Sequence, residues 1–168
     1  MFNKMPTLAA CLLLLVTVMV FVRAAASIVP APIQTVMTPY LQIHDALAKD
    51  SLTGVSAAAT ALSKAAQSDK MFPGELSKEA QTLAQAKDLS AARAGFKPLS
   101  ETLIKVLGDN KVSPDAYSEA YCPMEKARWL QTGTIVSNPF GATMATCGSI
   151  VSGKAAPATT TCPMGCGM

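Results

Sequence analysis

The chain has a single histidine, His44, in 168 residues, and that scarcity removes much of the usual hydrolytic chemistry. No Ser/His/Asp set can be assembled beyond chance, and no nucleophile motif or Gly-rich phosphate loop is present. Without a Cys-x-x-Cys pair, a thioredoxin-like activity lacks its motif. Charged side chains make up only 15% of the chain, and the basic ones form no cluster able to hold nucleic acid or an anionic lipid surface. The carboxylates are scattered over polar helix faces, as on a solvated surface. These absences argue against an enzyme and against a nucleic-acid partner.

What is present begins with a hydrophobic N-terminus. Lys4 precedes an apolar run of fifteen residues from Leu8 to Val22, and Ala24-Ala25-Ala26 offers a small-residue cleavage site before Ser27. This is the layout of a secretory signal peptide over residues 1–26. The run is short for a membrane span, which needs about 20 residues. Arg23, close to the cut, leaves an uncleaved membrane tether as the alternative, and only through such a segment would the protein contact a membrane. Cys11 stands at the start of the hydrophobic run instead of following it, so it is not a lipoprotein cysteine. Removal of residues 1–26 leaves 12 basic against 11 acidic side chains, a net charge of about +1. Export to the periplasm or a comparable space also means an oxidising compartment.

Aromatic residues account for 5% of the chain, and β-branched ones are few between Thr38 and Asn110. That stretch is rich in Ala, Leu, Lys, Glu and Gln, a helical composition. Tyr40, Ile43 and Leu47 recur at helical spacing. So do Leu52, Val55, Ala59, Leu62 and Ala66, then Leu76, Ala80, Leu83 and Ala84. Leu89, Ala92, Phe96, Leu99, Leu103 and Val106 give an unbroken alternation of three and four. Pro39 suits a first helical turn capped by Thr38. Asp50-Ser51, Phe72-Pro73-Gly74 and Asp88 separate the segments, Gly108-Asp109-Asn110 ends the last one, and Pro98 should kink or split it. The expected fold is all-α: a small antiparallel bundle with an irregular Cys/Met-rich C-terminal lobe and a flexible tail. Residues 27–37 read as a linker, 38–150 as the bundle with its lobe at 117–150, and 151–168 as the tail. Within the lobe, Trp129, Leu130, Ile135 and Phe140 are expected to pack on the bundle or on each other.

Sulfur is the positive signal. Four cysteines follow the hydrophobic segment, and each has a methionine two or three residues away: Cys122 with Met124, Cys147 with Met144, and Cys162 and Cys166 with Met164 and Met168. Thiolates and thioethers are soft ligands that favour Cu(I) or Ag(I), whereas zinc prefers Cys and His. Proline after Cys122 biases that residue toward extended geometry, in which Cys122 and Met124 face one side. Met144 and Cys147, three apart, share one face of a turn. Two thiolates and two thioethers would then converge. The competing reading is a Cys122–Cys147 disulfide with both methionines in the core, leaving no metal; four cysteines allow three pairings. The tail set of Cys162, Met164, Cys166 and Met168 reads as a metal-exchange arm, or as a local disulfide, or as an inert terminus. His44 is either an extra ligand or a satisfied core histidine.

The string Tyr121-Cys122-Pro123-Met124, Trp129-Leu130, Ile135, Asn138-Pro139-Phe140-Gly141, Met144 and Cys147-Gly148 resembles a small periplasmic domain of unknown function, family 3347. Tyr40-Leu41, Ile43, Ala46-Leu47-Ala48 and Asp50 look like that family's first helix. The resemblance spans roughly residues 38–149. It implies a helical domain associated with heavy-metal handling, found alone or joined to adaptor subunits of copper and silver efflux pumps. It places Cys122, Met124, Met144 and Cys147 at the metal site. Between Met124 and Trp129 this chain has Glu125-Lys126-Ala127-Arg128, without the family's asparagine after the methionine. The tail is similar to the Cys-Pro-Met opening of short heavy-metal-binding segments but lacks their following histidine and proline. The function expected from residues and resemblance together is an exported Cu(I)- or Ag(I)-binding protein in copper buffering, delivery or efflux. Its partners would be the metal ion and an efflux adaptor or other envelope metal-handling protein. The alternative is an interaction module of an envelope assembly, stapled by disulfides and holding no metal.

Overall fold

A computed structural model describes residues 29–112 and 116–153. Residues 1–26, read above as a signal peptide, and the sulfur motif at 162–168 lie outside the described residues. Four helices come first: α1 (Ala31–Ala48), α2 (Val55–Ser68), α3 (Gly74–Ala84) and α4 (Leu89–Asp109). Three short strands follow, β1 (Ser118–Cys122), β2 (Ala127–Gln131) and β3 (Ser149–Ser152), with a 3-10 turn at Ala142–Met144. None of the described helices is long and apolar enough to cross a membrane.

The helices form where the apolar spacing predicts them. Phe96, Leu99 and Leu103 of α4 are completely buried, and Asp88 caps its N-terminus by accepting a hydrogen bond from the Ala91 N–H at 2.8 Å. Pro98 does not divide α4, which runs on through it. α1 starts at Ala31, seven residues before the Thr38–Pro39 boundary suggested by the sequence, and carries Pro39 in its interior. The reason is burial: Ile33, Val36 and Met37 extend the inward face of Tyr40, Ile43 and Leu47, and all six are essentially inaccessible to solvent. Pro30 and Pro32 supply the fixed φ that suits a helix start. Consecutive helices pack on each other, α1 on α2, α2 on α3 and α3 on α4.

The C-terminal lobe overturns the all-α expectation. It is a three-stranded antiparallel sheet in the order β2-β1-β3, so the protein is mixed: helix-rich, with a sheet at its C-terminal end. β1 pairs with β2 from Ser118↔Gln131 to Cys122↔Ala127, and with β3 through Tyr121↔Ser149 and Ala120↔Ile150. The inward residues of β1 are Ser118, Ala120 and Cys122, too small to give a recognisable hydrophobic alternation. Neighbouring structure supplies what propensity does not, because β2 packs against α4.

An aromatic spine joins the two parts. Tyr40 stacks on Phe96 with ring centroids 5.1 Å apart, Phe96 meets Phe140 at 6.2 Å, and Phe140 meets Trp129 edge-on at 5.9 Å. Such pairs add about 0.5–1.5 kcal/mol each beyond the area they bury. The buried Leu130 N–H donates to Tyr40 Oη at 3.0 Å, which leaves the tyrosine hydroxyl hydrogen for Ser100 Oγ at 2.8 Å. Burial pushes the Tyr40 hydroxyl well above its ordinary range, so it stays a neutral donor. Trp129, Leu130 and Phe140 are core residues as expected, whereas Ile135 is 82% exposed on the loop after β2.

Candidate functional site

Cys122 and Cys147 converge. Their sulfurs lie 3.4 Å apart, and both residues are buried, at 0% and 3% exposure. Cys122 is the last residue of β1, and Cys147 stands two residues before β3, on the other side of the same strand pairing. The contact is longer than the roughly 2.05 Å of a disulfide. Metal–sulfur bonds of about 2.3 Å span up to about 4.6 Å between two sulfurs, so one ion reaches both.

Three devices bring the sulfurs together. The first is Gly148, whose φ of +129° lies outside the range that side chains favour. A Cβ there would stand 2.8 Å from the Tyr121 carbonyl oxygen and 3.1 Å from the Trp129 ring. Only glycine lets the chain after Cys147 lie this close to the residue before Cys122.

The second device is Asn138, buried at 1% exposure. Its Nδ2 donates to the Cys147 carbonyl at 2.8 Å, and its Oδ1 accepts from the Phe140 N–H at 2.8 Å. Its backbone N–H donates to the Ala145 carbonyl at 2.9 Å, and the Cys147 N–H closes a tight turn on the Met144 carbonyl at 2.8 Å.

The third device ties these loops to the helices. Arg93 of α4 donates from Nε to the Pro139 carbonyl at 2.9 Å and from Nη2 to the Leu47 carbonyl at 3.1 Å, while pairing with Asp50. Lys97, one turn further on, donates to the Glu125 carbonyl at 2.6 Å in the turn that follows Cys122. Gln131 holds the intervening loop through its carboxamide, which accepts from Trp129 Nε1 and the Ser137 N–H and donates to the Ile135 carbonyl.

The methionines occupy different positions. Residues 123–126 form the turn between β1 and β2, closed by Lys126 at φ +48°, so the chain reverses directly after Cys122 instead of staying extended. Met124 is consequently 57% exposed at that turn while Cys122 is fully buried. Met144 ends the 3-10 turn, half-buried against the core, and sits in the same hydrogen-bonded turn as Cys147.

His44 is a latch between α1 and the lobe. Its Nε2 lies 2.9 Å from the Ser137 carbonyl oxygen and its Nδ1 2.9 Å from Asp45 Oδ1, with the ring almost fully buried. Both ring nitrogens therefore face oxygens and not sulfur. Both partners are acceptors, so the two contacts are hydrogen bonds together only when each nitrogen carries a proton.

Among the described residues no three His, Cys, Asp or Glu side chains gather around one point. The cysteine pair therefore offers two thiols, and additional protein ligands would be thioethers or the tail sulfurs of Cys162, Met164, Cys166 and Met168, which lie outside the described residues. Sequence reasoning picked out the cysteines but missed Gly148, Asn138 and Gln131 as the residues that position them. The available signals were a glycine directly after Cys147 and an Asn-Pro turn initiator nine residues before it.

No curated protein and no solved structure matches the chain. Residues 36–115, a span that includes His44 and ends before Cys122, match the family model described as protein of unknown function DUF3347, which supports the family resemblance carried by the sequence.

Proposed function

We propose that this protein is an exported carrier of a soft monovalent ion, Cu(I) or Ag(I), that takes up and hands on its cargo through Cys122 and Cys147. The observation that carries the reading is the pair of sulfurs 3.4 Å apart at the junction of two loops, each loop bearing a methionine. Two thiolates with thioethers nearby suit a low-coordinate soft ion and fall short of the four Cys/His ligands of a structural zinc site. Met144 is the candidate thioether tied most directly to the pair, since its carbonyl closes the turn on Cys147. Met124, exposed on the β1–β2 turn, is placed to meet an arriving ion or a delivering protein. The tail sulfurs act as an exchange arm in this reading.

The N-terminal hydrophobic segment supports export, and the family resemblance supports work in the periplasm beside copper or silver efflux adaptors. The protein acts as a carrier and not as a catalyst. A second reading draws on the same sulfur contact: oxidised, the pair is a staple, and the protein is a docking module of an envelope assembly.

Titration of the reduced chain with Cu(I) against a chromophoric Cu(I) chelator separates the two. The carrier reading expects one ion held against the chelator and surrendered to that competitor on Cys122→Ser or Cys147→Ser. Replacement of Met124 and Met144 by Leu should weaken Cu(I) far more than Zn(II). Failure of the reduced chain to take Cu(I) from the chelator leaves the docking module as the account.

A further inference from the structure

We infer that Cys122 and Cys147 are a redox gate on their own metal site: as a dithiol they hold the soft ion, and as a disulfide they release it. The inference rests on the copper reading and adds its regulation. Two sulfurs 3.4 Å apart are within closing distance of a bond about 2.05 Å long. β1 and the Gly148 approach hold one sulfur, and the Asn138–Cys147 hydrogen bond holds the other, so the partners stay together whether or not an ion lies between them. An exported protein also meets disulfide oxidants.

The step balances with a small disulfide, RS–SR, as oxidant. Cys147, the more exposed of the two at 3%, attacks as thiolate and forms a mixed disulfide, expelling one RS⁻. Cys122, fully buried beside it, then attacks Cys147 Sγ and expels the second RS⁻. The protein loses two electrons and two thiol protons, and the oxidant becomes two thiols. A disulfide has no thiolate left to bind Cu(I), so the ion departs. By linkage, bound Cu(I) must in turn protect the dithiol from oxidation.

The test uses the chain carrying Cys11→Ser, Cys162→Ser and Cys166→Ser, equilibrated anaerobically in mixtures of oxidised and reduced glutathione, alkylated and weighed intact. The gate predicts a form about 2 Da lighter that resists alkylation and takes up no Cu(I), with uptake restored by dithiothreitol. Saturating Cu(I) should raise the ratio of oxidised to reduced glutathione needed for half-oxidation by at least about 100-fold. Adding Cys122→Ala should trap a glutathione adduct on Cys147. If Cys122 and Cys147 are alkylated at every ratio while the reduced chain binds Cu(I), the gate is wrong and the carrier reading survives. If the disulfide forms but the reduced chain binds no Cu(I), the carrier reading fails and the gate fails with it. Equal Cu(I) uptake by both forms also overturns the gate.

Discussion

Gly148→Ala should be the most damaging single-methyl addition in the C-terminal lobe. The new Cβ would sit 2.8 Å from the Tyr121 carbonyl oxygen and 3.1 Å from the Trp129 ring, and neither neighbour has room to yield. Tyr121 is held in β1 between β2 and β3, and Trp129 is fully buried against Phe140. Overpacking of this kind costs about 1–3 kcal/mol. Forcing alanine to φ +129° adds about 1–3 kcal/mol more. The sum, about 2–6 kcal/mol, is a large part of the roughly 5–15 kcal/mol that holds a domain together. Urea unfolding followed by both Trp129 fluorescence and helical circular dichroism measures it, and Gly108→Ala serves as the control. Gly108 lies in α4 with nothing within 4 Å of an added Cβ, so alanine there should stabilise by about 0.5–1 kcal/mol. A Gly148→Ala chain within about 0.5 kcal/mol of the parent would refute the close-approach reasoning.

Other perturbations separate the supports of the site from those of the fold. Asn138→Ala removes two buried hydrogen bonds, including the one to the Cys147 carbonyl, and should cost about 2–3 kcal/mol in urea unfolding while also weakening Cu(I) retention; an unchanged midpoint would contradict its role. Tyr40→Phe strands the buried Leu130 N–H and should cost about 1–3 kcal/mol, visible as a lower Tm. Glu79 is held above the usual carboxylate range, first by desolvation, and its Oε2 is buried without a hydrogen-bond partner. Its raised pKa means the native state binds the proton more tightly than the unfolded chain. Its contribution is therefore present at low pH and lost as pH rises through the native-state value. Glu79→Gln, which keeps an acceptor for Thr102, should raise the urea midpoint at about pH 7 with a smaller gain at about pH 3.5. The reverse order would contradict the burial argument.

The bundle was legible because its inward faces carry large residues at helical spacing. Tyr40, Ile43, Leu47, Leu62, Leu76, Leu83, Phe96, Leu99 and Leu103 are all essentially inaccessible to solvent. The start of α1 was less legible, since Pro39 reads as a helix beginning until Ile33, Val36 and Met37 are counted on the same face. The sheet was not legible. β1 is Ser-Glu-Ala-Tyr-Cys, with small inward residues, and β2 buries the adjacent pair Trp129 and Leu130, which erases alternation. These strands owe their form to packing on Phe140, α4 and Tyr40, the last of which lies far away in sequence. The convergence of Cys122 and Cys147 was foreseeable from paired sulfur motifs. The exposure of Met124 was not, because it follows from a hairpin turn that exists only once β1 and β2 pair.

The carrier account stands or falls on what surrounds the bound ion. X-ray absorption at the copper edge, on the reduced Cys11→Ser, Cys162→Ser, Cys166→Ser chain loaded with one Cu(I), reads that directly. The account predicts a shell of sulfur alone, at metal–sulfur distances of about 2.2–2.3 Å, that loses a sulfur scatterer in the Cys147→Ser chain. Nitrogen or oxygen in the first shell, or a shell that Cys147→Ser leaves unchanged, would contradict it.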